Sequence, residues 1–215
     1  MPVGMTMVLS STQHHGAVVA LGGRRIDAEP TPTPRFPFDQ VDRVGMEIGD
    51  RLRRMRAVTL VCSAACGADL IALETAQKIK LPMRIILPFS AARFRETSVV
   101  DRPRPEFWGS MFDRVTSAAR ADGNLIELDT AEVEDAYSMT NGVIIREAKK
   151  LAGIKDRERS RGSLRLIALV VWDGASRGPD DNTNKFVELA RESSFRIEQV
   201  LTLNPQRNGR GSEYQ

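Results

Sequence analysis

Apolar residues along the chain alternate between short β-branched runs and stretches of helical spacing, and one such pair, Ala57–Lys80, sets the pattern. Ala57-Val58-Thr59-Leu60-Val61-Cys62 has the length and branching of a buried strand. Small residues follow, Ser63-Ala64-Ala65-Cys66-Gly67-Ala68. From Asp69 the spacing is helical: Ala68, Ala72, Ala76 and Ile79 share a stripe that Pro82 stops. Comparable runs predict further strands at Ala17–Leu21, Met83–Pro88, Asn124–Leu128, Leu164–Trp172 and Phe195–Leu203. Three- and four-residue steps predict helices through Val41, Val44, Ile48, Leu52 and Met55, over about Glu106–Ala121, over about Glu134–Leu151, and from Thr183 through Phe186 and Ala190. Asp181 or Asn182 suits the N-cap of the last.

Between these elements, Asp27–Asp39 is proline-rich and reads as an ordered loop. Phe89–Phe107 shows no sustained periodicity and reads as a long irregular loop carrying Arg93, Arg95, Arg102 and Arg104. Lys155–Arg161 reads as a charged surface turn. The alternation predicts an α/β protein, three layers deep in α/β/α order, with a mostly parallel sheet of about six strands. One domain over 17–203 follows, flanked by a flexible segment 1–16 and a disordered tail 204–215.

Sheets of this kind bind ligands beyond the carboxyl ends of their strands. Those ends are Gly22-Gly23, Ser63–Gly67, Pro88-Phe89 and Asp173–Thr183. Glycines and small side chains there let an anion approach backbone amides, so Gly22, Gly23, Ser63, Ala64 and Gly67, with the neighbouring Arg24, are candidate phosphate contacts, and Gly174 is a further candidate ligand contact. The same small residues equally suit close packing of helix on strand. Arg93 and Arg95 are candidates to clamp the anion, since guanidinium groups fork onto oxyanions. Thr183 would add a hydroxyl. Trp172 would stack on a base or fill the core. Asp69 would bond a ribose hydroxyl or favour its helix end. Asp173 is an acid/base candidate at a strand end, or a turn former before Gly174.

Composition narrows the classes further. The chain has 215 residues, 41% hydrophobic and 27% charged, an ordinary balance for a globular protein. No apolar run approaches the ~20 residues that span a bilayer, and the N-terminus lacks a basic region followed by an apolar one, so a cytoplasmic location is expected. A net charge of +3 gives no general drive toward nucleic acid. Both histidines, His14 and His15, lie together near the N-terminus, and no G-x-S-x-G elbow, H-E-x-x-H or P-loop is present. No metal or cofactor is expected. The two cysteines, Cys62 and Cys66, are too few for a zinc site and suit buried packing, with a reactive thiol at Cys66 as the alternative.

Three segments together, Gly22-Gly23-Arg24-Arg25-Ile26-Asp27, Cys62–Asp69 and Trp172–Thr183, resemble the SLOG superfamily of Rossmann-like domains. That superfamily includes the lonely-guy phosphoribohydrolases, the DNA-processing protein A family and nucleotide-sensing domains. With LPFSAARFRETSVVDRP, the chain is most similar to SLOG-like proteins of unassigned activity. The resemblance spans roughly Ala17–Leu203 and implies binding of a nucleotide or nucleotide-derived small molecule at the strand ends. It also implies two alternatives. One is an N-glycosidic-bond hydrolase acting on a nucleoside monophosphate or an NAD-type substrate, and the other is a DNA-binding module. The lonely-guy motif P-G-G-x-G-T-x-x-E, aligned on Thr183, puts Asn182 at a glycine position and Phe186 at the glutamate. Hydrolysis would then need Asp173 or Asp69 in place of that glutamate. Assembly as a homo-oligomer is compatible with the resemblance.

Overall fold

The computed structural model describes residues 16–130, 135–153 and 164–204. Six strands, β1 (Ala17–Gly23), β2 (Ala57–Cys62), β3 (Met83–Leu87), β4 (Leu125–Glu127), β5 (Arg165–Trp172) and β6 (Arg196–Leu201), form one sheet. Their order is β4-β3-β2-β1-β5-β6, and every adjacent pair is parallel. Six helices connect or flank them: α1 (Val41–Arg54), α2 (Ala68–Lys78), α3 (Ala91–Ser98), α4 (Pro105–Ala121), α5 (Ala136–Leu151) and α6 (Asn182–Glu192). This is a three-layer α/β/α, Rossmann-like domain. The segments 1–15 and 205–215, expected to be flexible or disordered, and the charged turn expected at 155–161 lie outside the described residues.

The period-2 alternation of β1 assigns the two faces. Ala17, Val19 and Leu21 join one core with α1, α2, α3 and α4, which includes Ile48, Leu73, Phe94 and Trp108. Val18 and Ala20 join a second core with α5 and α6, which includes Ile144, Phe186 and Ala190. The central strand β5 is buried from Leu166 to Trp172, as its unbroken apolar run dictates. Among the described residues, no helix is long and apolar enough to cross a membrane.

Two local expectations change. Phe89–Phe107 is not wholly irregular, because α3 lies within it. Ser90 caps that helix by accepting the Arg93 amide, and Phe94, fully buried, anchors it. Eight residues with one large apolar anchor are too few to register a helical period. Secondly, β1 runs on through both glycines, which pair with Val170 and Val171 of β5. A Cβ on Gly22 would stand 2.7 Å from the Phe186 ring, and one on Gly23 would stand 2.5 Å from both the Ala68 Cβ and the Val171 carbonyl. The glycines therefore let α6 and α2 close onto the strand, which satisfies the packing reading of these positions.

Candidate functional site

From β1 the chain moves outward through β2, β3 and β4, then crosses back to β5 on the other side of β1. That reversal opens a crevice beyond the carboxyl ends of β1 and β5, the place where open α/β sheets take ligands. A cleft of about 520 Å³ occupies it, within the size range of small-molecule sites. Its floor carries Gly22, Gly23 and Phe186. Ser63, Ala65 and Asp69 face it from the end of β2 and the head of α2, and Tyr137, Thr140 and Asn141 from α5. Asn182 and Thr183 come from the start of α6. The loop after β1 supplies Thr31, Thr33 and Arg35. Asp27 shapes that loop by accepting the amides of Arg35 and Phe36, both at 2.9 Å.

Alternation beyond Gly23 sends the next two side chains to opposite faces. Arg24 turns toward α6 and is 3% exposed. Its Nε donates to Asp173 Oδ1 at 2.9 Å, Nη1 to Asp181 Oδ1 at 2.5 Å and Nη2 to the Ala175 carbonyl at 2.6 Å. Burial opposes its charge, but the two carboxylates outweigh that and raise its pKa above the ordinary value. Asp181 is the N-cap of α6 and accepts the amides of Thr183 and Asn184. Burial alone would raise its pKa; the hydrogen bonds from Arg24 and from backbone amides prevail and hold it below the ordinary carboxylate value. Arg24 is thus a tie between β1, the β5 loop and α6.

Arg25 turns toward α2, where a backbone bridge to Gly67 fixes it beside the head of the helix. Its Nη2 contacts Cys66 Sγ at 3.5 Å and pairs with Asp101. The buried Nε of Arg25 has no hydrogen-bond partner, nor has that of Arg102, which also faces the cleft. Cys66 itself is fully buried, and burial raises its thiol pKa despite Arg25 and Arg102, so it is held as a thiol. Cys62 is likewise buried, which pushes its pKa well up.

Asp69 is 8% exposed, lines the cleft and accepts the Ala65 amide at 3.2 Å. Burial raises its pKa to about 7, against the opposing pull of that amide and of Arg25. A carboxyl so placed exchanges a proton near neutrality, as acid/base work requires. Asp173 is placed differently. Both its oxygens are held, Oδ1 by Arg24 and Oδ2 by Arg35 at 2.6 Å, and it does not line the cleft.

Of the residues expected at the site, Gly22, Gly23, Arg24, Ser63, Asp69 and Thr183 meet at the cleft. Ala64, Gly67, Arg93, Arg95, Trp172, Asp173 and Gly174 do not line it. Arg95 points to α4 and forms a forked pair with Asp113 at 2.8 and 3.0 Å, and Arg93 lies over the Phe89 ring at 4.7 Å. Trp172 belongs to the second core, with its indole N–H on Gln199. Gly67, at φ +107°, makes the turn into α2, where an added Cβ would meet the backbone of Ile26 at 2.6 Å. The amides of Ala65, Cys66 and Ala68 already serve Asp69, Ser98 and Arg24. Arg35, Tyr137, Asn141 and Arg177 line the cleft without having been expected there. For Arg25 the signal was present, a second arginine after the glycines. For Tyr137 and Asn141 it was the unread polar side of a helix stripe.

No protein-family model and no curated protein sequence matches the chain.

Proposed function

We propose that the cleft binds a nucleotide or a nucleotide-derived small molecule. The observation that carries this reading is the charge lining a pocket at the reversal point of the sheet: five arginines, Arg24, Arg25, Arg35, Arg102 and Arg177, against two aspartates, Asp27 and Asp69. Arg24 and Arg35 are spent on Asp173. Arg25 and Arg102 retain donors for an anionic group. Hydroxyl and amide groups of Ser63, Thr31, Thr33, Thr140 and Asn141 suit a sugar and a heterocycle. The resemblance to the SLOG superfamily points the same way. The test is a thermal-shift panel of mono-, di- and cyclic nucleotides and NAD derivatives on the full chain. At about 100 times its dissociation constant a ligand adds roughly 2.7 kcal/mol, or about 5–10 °C for a domain of this size. No shift across the panel overturns the reading.

A second reading, hydrolysis of an N-glycosidic bond, is favoured by Asp69, whose buried carboxyl titrates at about 7 inside the cleft. In that reading Asp69 exchanges the proton that activates water or protonates the departing base, the part that Asp173, held by two arginines, is not free to take. Release of free base from nucleoside monophosphates or NAD, lost in Asp69→Asn while nucleotide binding persists, is the expected result. Absence of release across the same panel leaves a binding protein.

A further inference from the structure

We propose that the α2 end of the cleft is a seat for an oxyanion, gripped jointly by Arg25 and Arg102 and covered by Asp101 until a ligand displaces that carboxylate. The inference deepens the nucleotide reading and rests on it: the seat would take a phosphate group of the bound molecule.

Four observations converge. Arg25 and Arg102 both face the cleft, and each has a buried Nε with no acceptor. Folded proteins rarely leave such donors unmet. The third such atom, Arg51 Nε, belongs to a guanidinium already paired with Glu47 and Glu198 and faces no cleft, so it carries no such implication. Secondly, Arg102 makes no ion pair among the described residues, although Asp101 precedes it in the chain. Thirdly, the Arg25–Asp101 pair is open to water, at 30% and 33% exposure, and exchangeable pairs of that kind hold weakly. A carboxylate on one nitrogen of Arg25 imitates a phosphate oxygen without engaging the fork that Nε and an Nη present together. Lastly, among the described residues the other group on Arg25, the Cys66 sulfur, is a buried thiol and does not neutralise the guanidinium. The positive end of α2 lies alongside through the Arg25–Gly67 bridge and adds to the attraction.

The experiment is calorimetric titration of the full chain with inorganic pyrophosphate, repeated for three variants. Arg102→Ala is expected to weaken binding by about tenfold or more, the loss of a charge-assisted donor pair. Asp101→Asn is expected to strengthen it by about threefold, since the competing carboxylate is gone. A gain of affinity cannot arise from misfolding, so this variant keeps the test decisive if Arg102→Ala is unstable. Arg95→Ala, which removes the same charge outside the cleft, is expected to change nothing. Failure of the wild-type chain to bind pyrophosphate, equal weakening by Arg95→Ala and Arg102→Ala, or weakening by Asp101→Asn overturns the seat. The two readings fail separately. Arg102-dependent pyrophosphate binding with no nucleotide response leaves the seat and removes the nucleotide. Nucleotide binding untouched by Arg102→Ala leaves the nucleotide and removes the seat.

Discussion

Replacing Arg24 by methionine removes a side chain that ties β1 to the loop after β5 and to the cap of α6. Methionine keeps the volume of the stem, so the packing beneath Trp172 is largely retained while the charge and its donors vanish. Asp181, with its side chain fully buried, and Asp173, 8% exposed, are then left with one partner fewer each. Breaking a buried pair by deleting one partner costs about 3–5 kcal/mol, a large share of the ~5–15 kcal/mol that holds a typical domain. With a urea slope of roughly 2 kcal/mol/M, the midpoint should fall by about 2 M.

The pH dependence gives a sharper check. In the wild-type chain the folded pKa of Asp181 is depressed, so its contribution is present above the unfolded value near 3.8 and disappears as pH falls through the lower folded value. Without Arg24, the burial that already opposes ionisation loses its main counterweight, and the folded pKa of Asp181 moves up. Stability of the variant then improves as acid protonates this carboxyl. The gap between Arg24→Met and wild type should be widest at neutral pH and should narrow toward pH 4. Urea midpoints measured from pH 7 down to 4 read both quantities. A cost below about 1 kcal/mol, or a gap that widens on acidification, refutes the account of Arg24 as a buried tie.

Three further outcomes follow from the same geometry. Gly23→Ala should destabilise the fold by at least about 1–3 kcal/mol, since its Cβ would stand 2.5 Å from a carbonyl oxygen and from Ala68; a midpoint unchanged within error would refute the packing role. Gly123→Asn should be nearly neutral in the same assay, because nothing lies within 4 Å of that site and asparagine tolerates its φ of +67° better than other side chains do. Asp69 has a folded pKa near 7, above its ordinary 3.8, so its favourable contribution is complete below pH 3.8 and is lost as pH rises to about 7. Asp69→Asn should therefore show a flatter stability profile across that window than wild type, and equal slopes would argue against a buried, late-titrating carboxyl.

The sheet was legible because its signal is redundant. Each buried strand repeats the same apolar run, and β5, with eight residues, could scarcely be anything else. Strand ends were legible for a related reason, since runs of glycine, alanine and serine stop the pattern. What a given side chain does at those ends was far less so. Arg93 and Arg95 sit in a segment whose short helix was hidden, and a helix turns its arginines to whichever face the period dictates. Arg95 consequently meets Asp113 of α4, a partner 18 residues away that no local pattern announces. Trp172 is similar. Its burial was decided by β6 and by Gln199, a contact made only once the sheet is assembled. Asp69 lay between a capping and a ligand role, and burial by distant segments, invisible in the chain, is what moves its titration to neutrality.

Arg24 and Arg25 show how much one residue of register decides. Both follow the same glycine pair, carry the same charge and stand within one rise of the strand. Alternation alone directs Gly22 and Arg24 to the face of α6, and Gly23 and Arg25 to the face of α2. On the first side two aspartates wait, supplied by a loop and a helix cap that must be neutralised if α6 is to start there. On the second side there is a thiol, an exchangeable carboxylate and an arginine without an ion-pair partner among the described residues. The same chemistry is thus consumed by folding at one position and left unspent at the next. The unspent charge borders the cleft beside Ser63 and Ala65, which also line it. A bulky residue at Gly67 would clash with the Arg24 and Arg25 backbone, at 2.7 and 2.9 Å, before it reached any ligand. Close packing and access to the cleft therefore impose the same requirement on this turn, so a small-residue pattern by itself cannot separate them, whereas the partners of the neighbouring arginines do.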